Sequence, residues 1–148
     1  TTFISSTFWT ERSGYVAALK SLEIMEKVKS WKIISEKGKI LKSKLRKIAQ
    51  ENKLKINISG LDSCPSYNLK FSNWMKYKTF ITQELLNKKI LGANTTYVSI
   101  AHTNKIISKY IEVLSTIFHK IKQSEKSNID INSLLKGPVC HSGFKRLN

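Results

Sequence analysis

The 148-residue chain is poor in residues that staple, coordinate or kink a backbone. It has two cysteines, two prolines, three histidines and three arginines, against 23 lysines. Cys64 and Cys140 have no partner at metal-ligand spacing, and His102, His119 and His141 form no H-x-x-x-H pattern, so no metal site is read from the sequence. Free thiols in a reducing cytosol are expected; a bridge between the two cysteines has no support beyond the presence of both. No run of about 18 or more apolar residues occurs, so no spanning helix is expected. No basic stretch followed by a short apolar one marks a secretory signal. A Ser/His/Asp arrangement, a paired-carboxylate site, a glycine-rich phosphate loop and internal repeats are all missing.

Acidic residues are scarce as well: 10 against 26 basic ones, a formal net charge of +16. Such a balance invites a nucleic-acid or anionic-membrane partner, and a lysine-rich helical binding module is the rival reading. That rival predicts one contiguous basic face and an affinity that falls steeply with salt. Bidentate phosphate and base recognition favours arginine, which is rare here, and the lysines are spread through every expected helix. The reading adopted is solvated helix faces, with lysine stems covering apolar surface, and neither nucleic acid nor membrane as partner.

What the chain does have is helical periodicity. Tyr15, Ala18, Leu19, Leu22 and Met25 share one face of a helix expected over 14–29, with Ser13 as N-cap. Ile34, Gly38, Leu41, Leu45 and Ile48 form the seam of a second helix, 31–52. Gly38 there costs about 1 kcal/mol relative to Ala and marks a close crossing of helices. Ile56 and Ile58, then Leu69 and Phe71, alternate in two short strands, 55–59 and 67–72, expected to pair antiparallel across a turn containing Pro65. A third helix, 75–91, turns Phe80, Ile81, Leu85 and Leu86 inward and ends at Gly92 in the left-handed conformation. Thr95–Ala101 is the most strand-like stretch. Thr103 or Asn104 caps a fourth helix, 104–123, with Ile107, Tyr110, Ile111, Leu114, Ile117, Phe118 and Ile121 as its stripe. A short helix over 129–135, with Asn128 or Asp130 near its start, and a tail anchored by Phe144 and Leu147 complete the chain. The sum is an α+β fold, helices packed on a small mainly antiparallel sheet.

The first 29 residues organise the rest. A hydroxyl-rich run, Phe3-Ile4-Ser5-Ser6-Thr7-Phe8-Trp9, leads into the first helix, and small hydroxyls at a helix entrance suit an anionic group. With Tyr15-Val16-Ala17-Ala18-Leu19, Gln83-Glu84-Leu85-Leu86, Gly92-Ala93-Asn94, Val98-Ser99-Ile100-Ala101-His102-Thr103 and Phe144-Lys145-Arg146-Leu147-Asn148, all in the same order, the chain resembles the C-terminal region of class III pyridoxal-phosphate (PLP) aminotransferases of fold type I, a group that includes glutamate-1-semialdehyde aminomutase. The Gly-Asn-Pro expected of that aminomutase after the hydroxyls is replaced here by Thr10-Glu11-Arg12, a departure from a close copy.

The resemblance implies the small C-terminal domain of such an enzyme over residues 30–148, with 1–29 as the end of the large cofactor domain and its linking helix. It implies amino transfer between a small-molecule amine donor and a carbonyl acceptor, or the aminomutase variant of the same chemistry. It implies PLP as cofactor and a homodimer in which Ser6 and Thr7 hydrogen-bond the cofactor phosphate of the other subunit. The Schiff-base lysine is expected upstream of Thr1, in a longer polypeptide, which leaves no catalytic residue in this stretch and makes it inactive alone. His102 reads as a structural hydrogen-bonding group in preference to an acid or base; Trp9, Glu11 and Arg12 read as packing and helix entrance, a substrate wall being the alternative for Trp9; and Arg146 reads as an ion-pair residue, a substrate carboxylate being its alternative partner.

Overall fold

A computed structural model describes residues 11–141 and 143. Trp9, Arg146, Phe144 and Leu147, like Ser6 and Thr7, fall outside that range. The elements are α1 (Arg12–Val28), α2 (Ser30–Glu51), β1 (Ile56–Ser59), β2 (Ser66–Leu69), α3 (Trp74–Asn87), α4 (Asn104–Lys126) and a 3-10 turn, Ile131–Leu134. Helices pack on a two-stranded antiparallel sheet, which is the expected α+β class.

The core lies between α2, α3, α4 and one face of the hairpin. From α2 it takes Leu41, Leu45, Ile48 and Ala49; from α4, Ile107, Ile111, Leu114, Ile117, Phe118 and Ile121. These are the seams that the 3.6-residue period picks out. Register pairs Ile56 with Leu69 and Ile58 with Tyr67, placing four apolar side chains on one sheet face. The Tyr67 ring meets Phe118 and Trp74 edge-on, with centroids 6.0 and 6.4 Å apart.

Several local expectations need correction. Thr95–Ala101 is not a strand; a single bridge joins Thr95 to Ser66. The segment still runs beside residues 63–67, since Thr96 N–H donates to the Pro65 carbonyl at 3.0 Å and Val98 N–H to that of Ser63 at 2.9 Å. Pro65 has no N–H to return, so a reciprocal ladder cannot form. Leu86 is 51% exposed, not inward; adjacent helical residues sit about 100° apart, and Leu85 takes the core position. Ser13 is not the N-cap of α1: the extended residue is Glu11, and Ser13 lies in the first turn with its hydroxyl 3.4 Å from the Glu11 carboxylate.

Helix ends also depart from expectation. Gly92 does not supply the left-handed residue after α3; Lys89 does, with φ +60°. Lys89 N–H donates to Leu86 and Ile90 N–H to Leu85, the paired bonds of a Schellman motif. Lys53 and Leu54 repeat that pattern after α2. A lysine pays the left-handed penalty there because the following apolar residue is drawn inward, Leu54 being buried and Ile90 packed against the core.

Thr103 caps α4 as expected, its hydroxyl accepting from Ile106 N–H at 3.3 Å. Thr103→Ala is expected to lower unfolding stability by about 1 kcal/mol, with Thr103→Asp restoring most of it, read from urea midpoints. The last turn begins at Asp130, whose carboxylate accepts from Asn132 N–H at 3.0 Å. Among the described residues no helix is long and apolar enough to cross a membrane.

Candidate functional site

Ser6 and Thr7, the expected phosphate ligands, lie outside the described residues. What the structure brings together instead is a cleft of about 310 Å³ between α2, the 90–98 segment and the start of α4. Leu41, Val98 and Ile107 are its buried wall, and Lys37 and His102 its half-buried polar groups. Gly92 closes one side: a Cβ there would stand 3.1 Å from Leu85 Cδ1 and 3.9 Å from the Tyr110 ring. This glycine serves close packing.

His102 is held by a tight turn. Its N–H donates to the Ser99 carbonyl at 3.1 Å, and Ser99 N–H donates to His102 Nδ1 at 3.2 Å. An accepting Nδ1 puts the neutral ring's proton on Nε2. The structural role expected for His102 is the one observed. Lys37 Nζ donates to the Ile100 carbonyl at 2.6 Å, and no carboxylate among the described residues pairs with it. Tyr110 lines the cleft, and its hydroxyl and that of Tyr67 are buried without a partner of ordinary hydrogen-bond geometry. Burial pushes both phenols up, and for Tyr67 the neighbouring Tyr110 adds to the rise.

The remaining charged groups hold elements together. Lys42 donates to Asp62 at 2.9 Å and to the Gly60 carbonyl at 2.8 Å, tying α2 to the hairpin turn. Lys120 pairs with Glu84 between α4 and α3, and Lys76 with Asp130. Burial alone would raise Glu84, but its bonds from Lys120, Asn87 and Gln83 leave it below its ordinary value of 4.5. The Lys42 bond lowers Asp62, and the Asn132 N–H, then Lys76, lowers Asp130, both below 3.8. Carboxylates depressed by folding stabilise the chain above their unfolded pKa values and lose that contribution as pH falls through the folded ones. Urea midpoints are therefore expected to be flat near neutrality and to drop from about pH 4.5 downward. Glu84→Gln should make the acid limb shallower, and an unchanged limb would remove Glu84 from this role.

Cys64 and Cys140 are half-buried free thiols, as expected; Cys140 N–H donates to Thr79 Oγ1 at 2.9 Å. Helix α1 is unlike the rest. It buries no residue, and Leu19, Leu22 and Met25 are 69%, 60% and 45% exposed. The amphipathic face expected there is real, and its Leu19, Leu22 and Met25 stay largely exposed among the described residues.

Sequence reading named the segments 92–94 and 98–103 but not their meeting with Lys37, which lies 63 residues before Ile100. Only a charged residue beside the α2 seam hinted at it.

No family model matches the chain. A curated relative, 3-aminobutyryl-CoA aminotransferase of Cloacimonas acidaminovorans (strain Evry), is 24% identical over 126 residues, covering 82% of this chain and 30% of the relative. A solved structure of the PLP internal aldimine form of the Sphingopyxis sp. MTA144 FumI protein matches with a TM-score of 0.75 at 17% identity, over 85% of this chain and 31% of that one. The chain thus spans about a third of the length of each protein it matches. The sequence likeness bears out the resemblance to a PLP-dependent aminotransferase, and the structural likeness shows the shared fold.

Proposed function

We propose that this chain is the C-terminal portion of a class III PLP-dependent aminotransferase that moves an amino group from a small amine donor to a carbonyl acceptor. The supporting observation is a paired likeness over more than four fifths of the chain: 82% in sequence to an aminotransferase and 85% in fold to a PLP-bound protein. When bound, the cofactor supplies the electron sink for amino transfer, while protein groups bind and orient it.

The described residues do not fit that cofactor by themselves. A phosphate dianion needs several convergent donors. In the cleft, the charged and ring donors are Lys37, which spends one bond on the Ile100 carbonyl, and His102, too few for a dianion, and Thr95 Oγ1 lies 2.8 Å from Ser66 Oγ. In this proposal the anchor is elsewhere: Ser6 and Thr7 donate to the phosphate held by the other subunit of a cytoplasmic homodimer, and the Schiff-base lysine belongs to a preceding part of the full-length polypeptide. Residues 1–29 end the cofactor domain and residues 30–148 form the small domain. The exposed apolar face of α1 then docks on the cofactor domain.

The test is absorbance of the full-length gene product. It should carry a visible PLP band that changes on adding an amine donor, and Thr7→Ala should weaken cofactor retention by about tenfold, the loss of one hydrogen bond to a charged group. A colourless full-length protein that stays monomeric with added PLP would sink the proposal. The docking has its own check. In the 148-residue chain, Leu19→Glu with Leu22→Glu should change stability by no more than about 0.5 kcal/mol, since both side chains are already in water. In the full-length protein the same pair should reduce soluble dimer severely, read by gel filtration.

A further inference from the structure

We infer that the cleft between α2, the 90–98 segment and the start of α4 binds a small monocarboxylate with an apolar body, a short aliphatic or aryl acid. The volume, about 310 Å³, is at the lower end of what small-ligand pockets offer. Leu41, Val98 and Ile107 give its lining buried hydrocarbon, Thr95, Thr96 and the buried Tyr110 hydroxyl add neutral polar atoms, and Lys37 and His102 are its half-buried basic groups.

The charges give the head group its sign. The Lys37 ammonium spends one of its three donors on the Ile100 carbonyl and has no carboxylate partner among the described residues. His102 Nδ1 is occupied as an acceptor, so its free position, Nε2, is a donor. Two donors, one of them cationic, thus adjoin an apolar hollow. A carboxylate accepts from both, and a hydrocarbon body of a few carbons displaces poorly held water from the wall. At the rim, Leu91 and Tyr97 are 95% and 78% exposed, large apolar surface available to the same ligand. The site is independent of the PLP reading, because no group in it is assigned to the cofactor.

The experiment uses the 148-residue chain. Hexanoate, 3-phenylpropionate and neutral hexanamide are titrated separately while the His102 ring and backbone amide resonances are followed by NMR. Saturable shifts centred on 90–107 are expected, with the carboxylates about tenfold tighter than the amide, the gain of a charge-assisted over a neutral hydrogen bond. Lys37→Gln keeps a donor for the Ile100 carbonyl but removes the charge, so it should abolish that preference. Ile106→Trp, at a half-exposed lining position, should occlude the cleft and remove binding of acid and amide alike. Equal affinity for hexanoate and hexanamide, shifts centred elsewhere, or no saturation overturns the proposal. If Lys37→Gln does not fold, the acid-to-amide ratio in the unaltered chain decides.

Discussion

Phe118→Ala is expected to lower the unfolding free energy by about 3–5 kcal/mol, the usual cost of deleting a fully buried aromatic ring. Phe118 is 0% exposed and sits midway along α4. Its ring meets the edge of Tyr67 at 6.0 Å, so it joins the helical layer to the hairpin. The substitution removes hydrocarbon from the core and opens a void that α4 and β2 cannot both collapse into. A domain of this size commonly has about 5–15 kcal/mol in total, so the variant should unfold at a markedly lower urea concentration with a similar slope. Phe118→Leu should cost less than about 1.5 kcal/mol, because most of the volume is kept. Near-equal losses for the two variants would mean that the void is not what matters.

Gly38→Ala is expected to destabilise the chain by about 1–3 kcal/mol, although Ala is the better helix former by about 1 kcal/mol. A Cβ at Gly38 would lie 1.6 Å from the Asp62 carbonyl oxygen and 2.4 Å from its carbon. Both are backbone atoms, so no side chain can swing aside; α2 must separate from the hairpin turn. That movement also strains the two bonds of Lys42 to Gly60 and Asp62, one turn along α2. Amide exchange should quicken at β1 and β2 before it does in α4. A stabilised Gly38→Ala variant would show that helix propensity outweighs the approach.

Much of the fold was legible because its signals are local and periodic. The α4 stripe from Ile107 to Ile121 was read correctly since 3.6-residue spacing leaves one consistent buried face. The two short strands and their antiparallel pairing were legible from alternation and a turn with Pro65. Gly38 is a close-packing position, as its place in the α2 seam implies, but its neighbour is a turn carbonyl, not another helix. A glycine's spacing reports that something comes near, never what.

Two local preferences yield to tertiary context. Thr95–Ala101 has strand composition, but a ladder needs a partner able to return hydrogen bonds, and Pro65 cannot. Gly92 was the natural left-handed residue by intrinsic preference, yet Lys89 takes that conformation because the Schellman turn carries Ile90 back toward the core. The expected phosphate ligands, Ser6 and Thr7, rest on resemblance and remain part of the proposal.

From its order of residues alone, the chain determined which faces of its helices are apolar, where the hairpin forms, and the family likeness that the comparisons bear out. Those properties depend on neighbours within a few positions, or on the residue order itself. Tertiary structure alone decided which apolar faces find cover, leaving Leu19 and Leu22 of α1 exposed among the described residues while the α4 stripe is buried. It also decided that Lys37 meets the His102 turn beside an apolar hollow. Such meetings arise from packing between segments some 60 residues apart, and the free energy that selects them belongs to no single stretch of sequence.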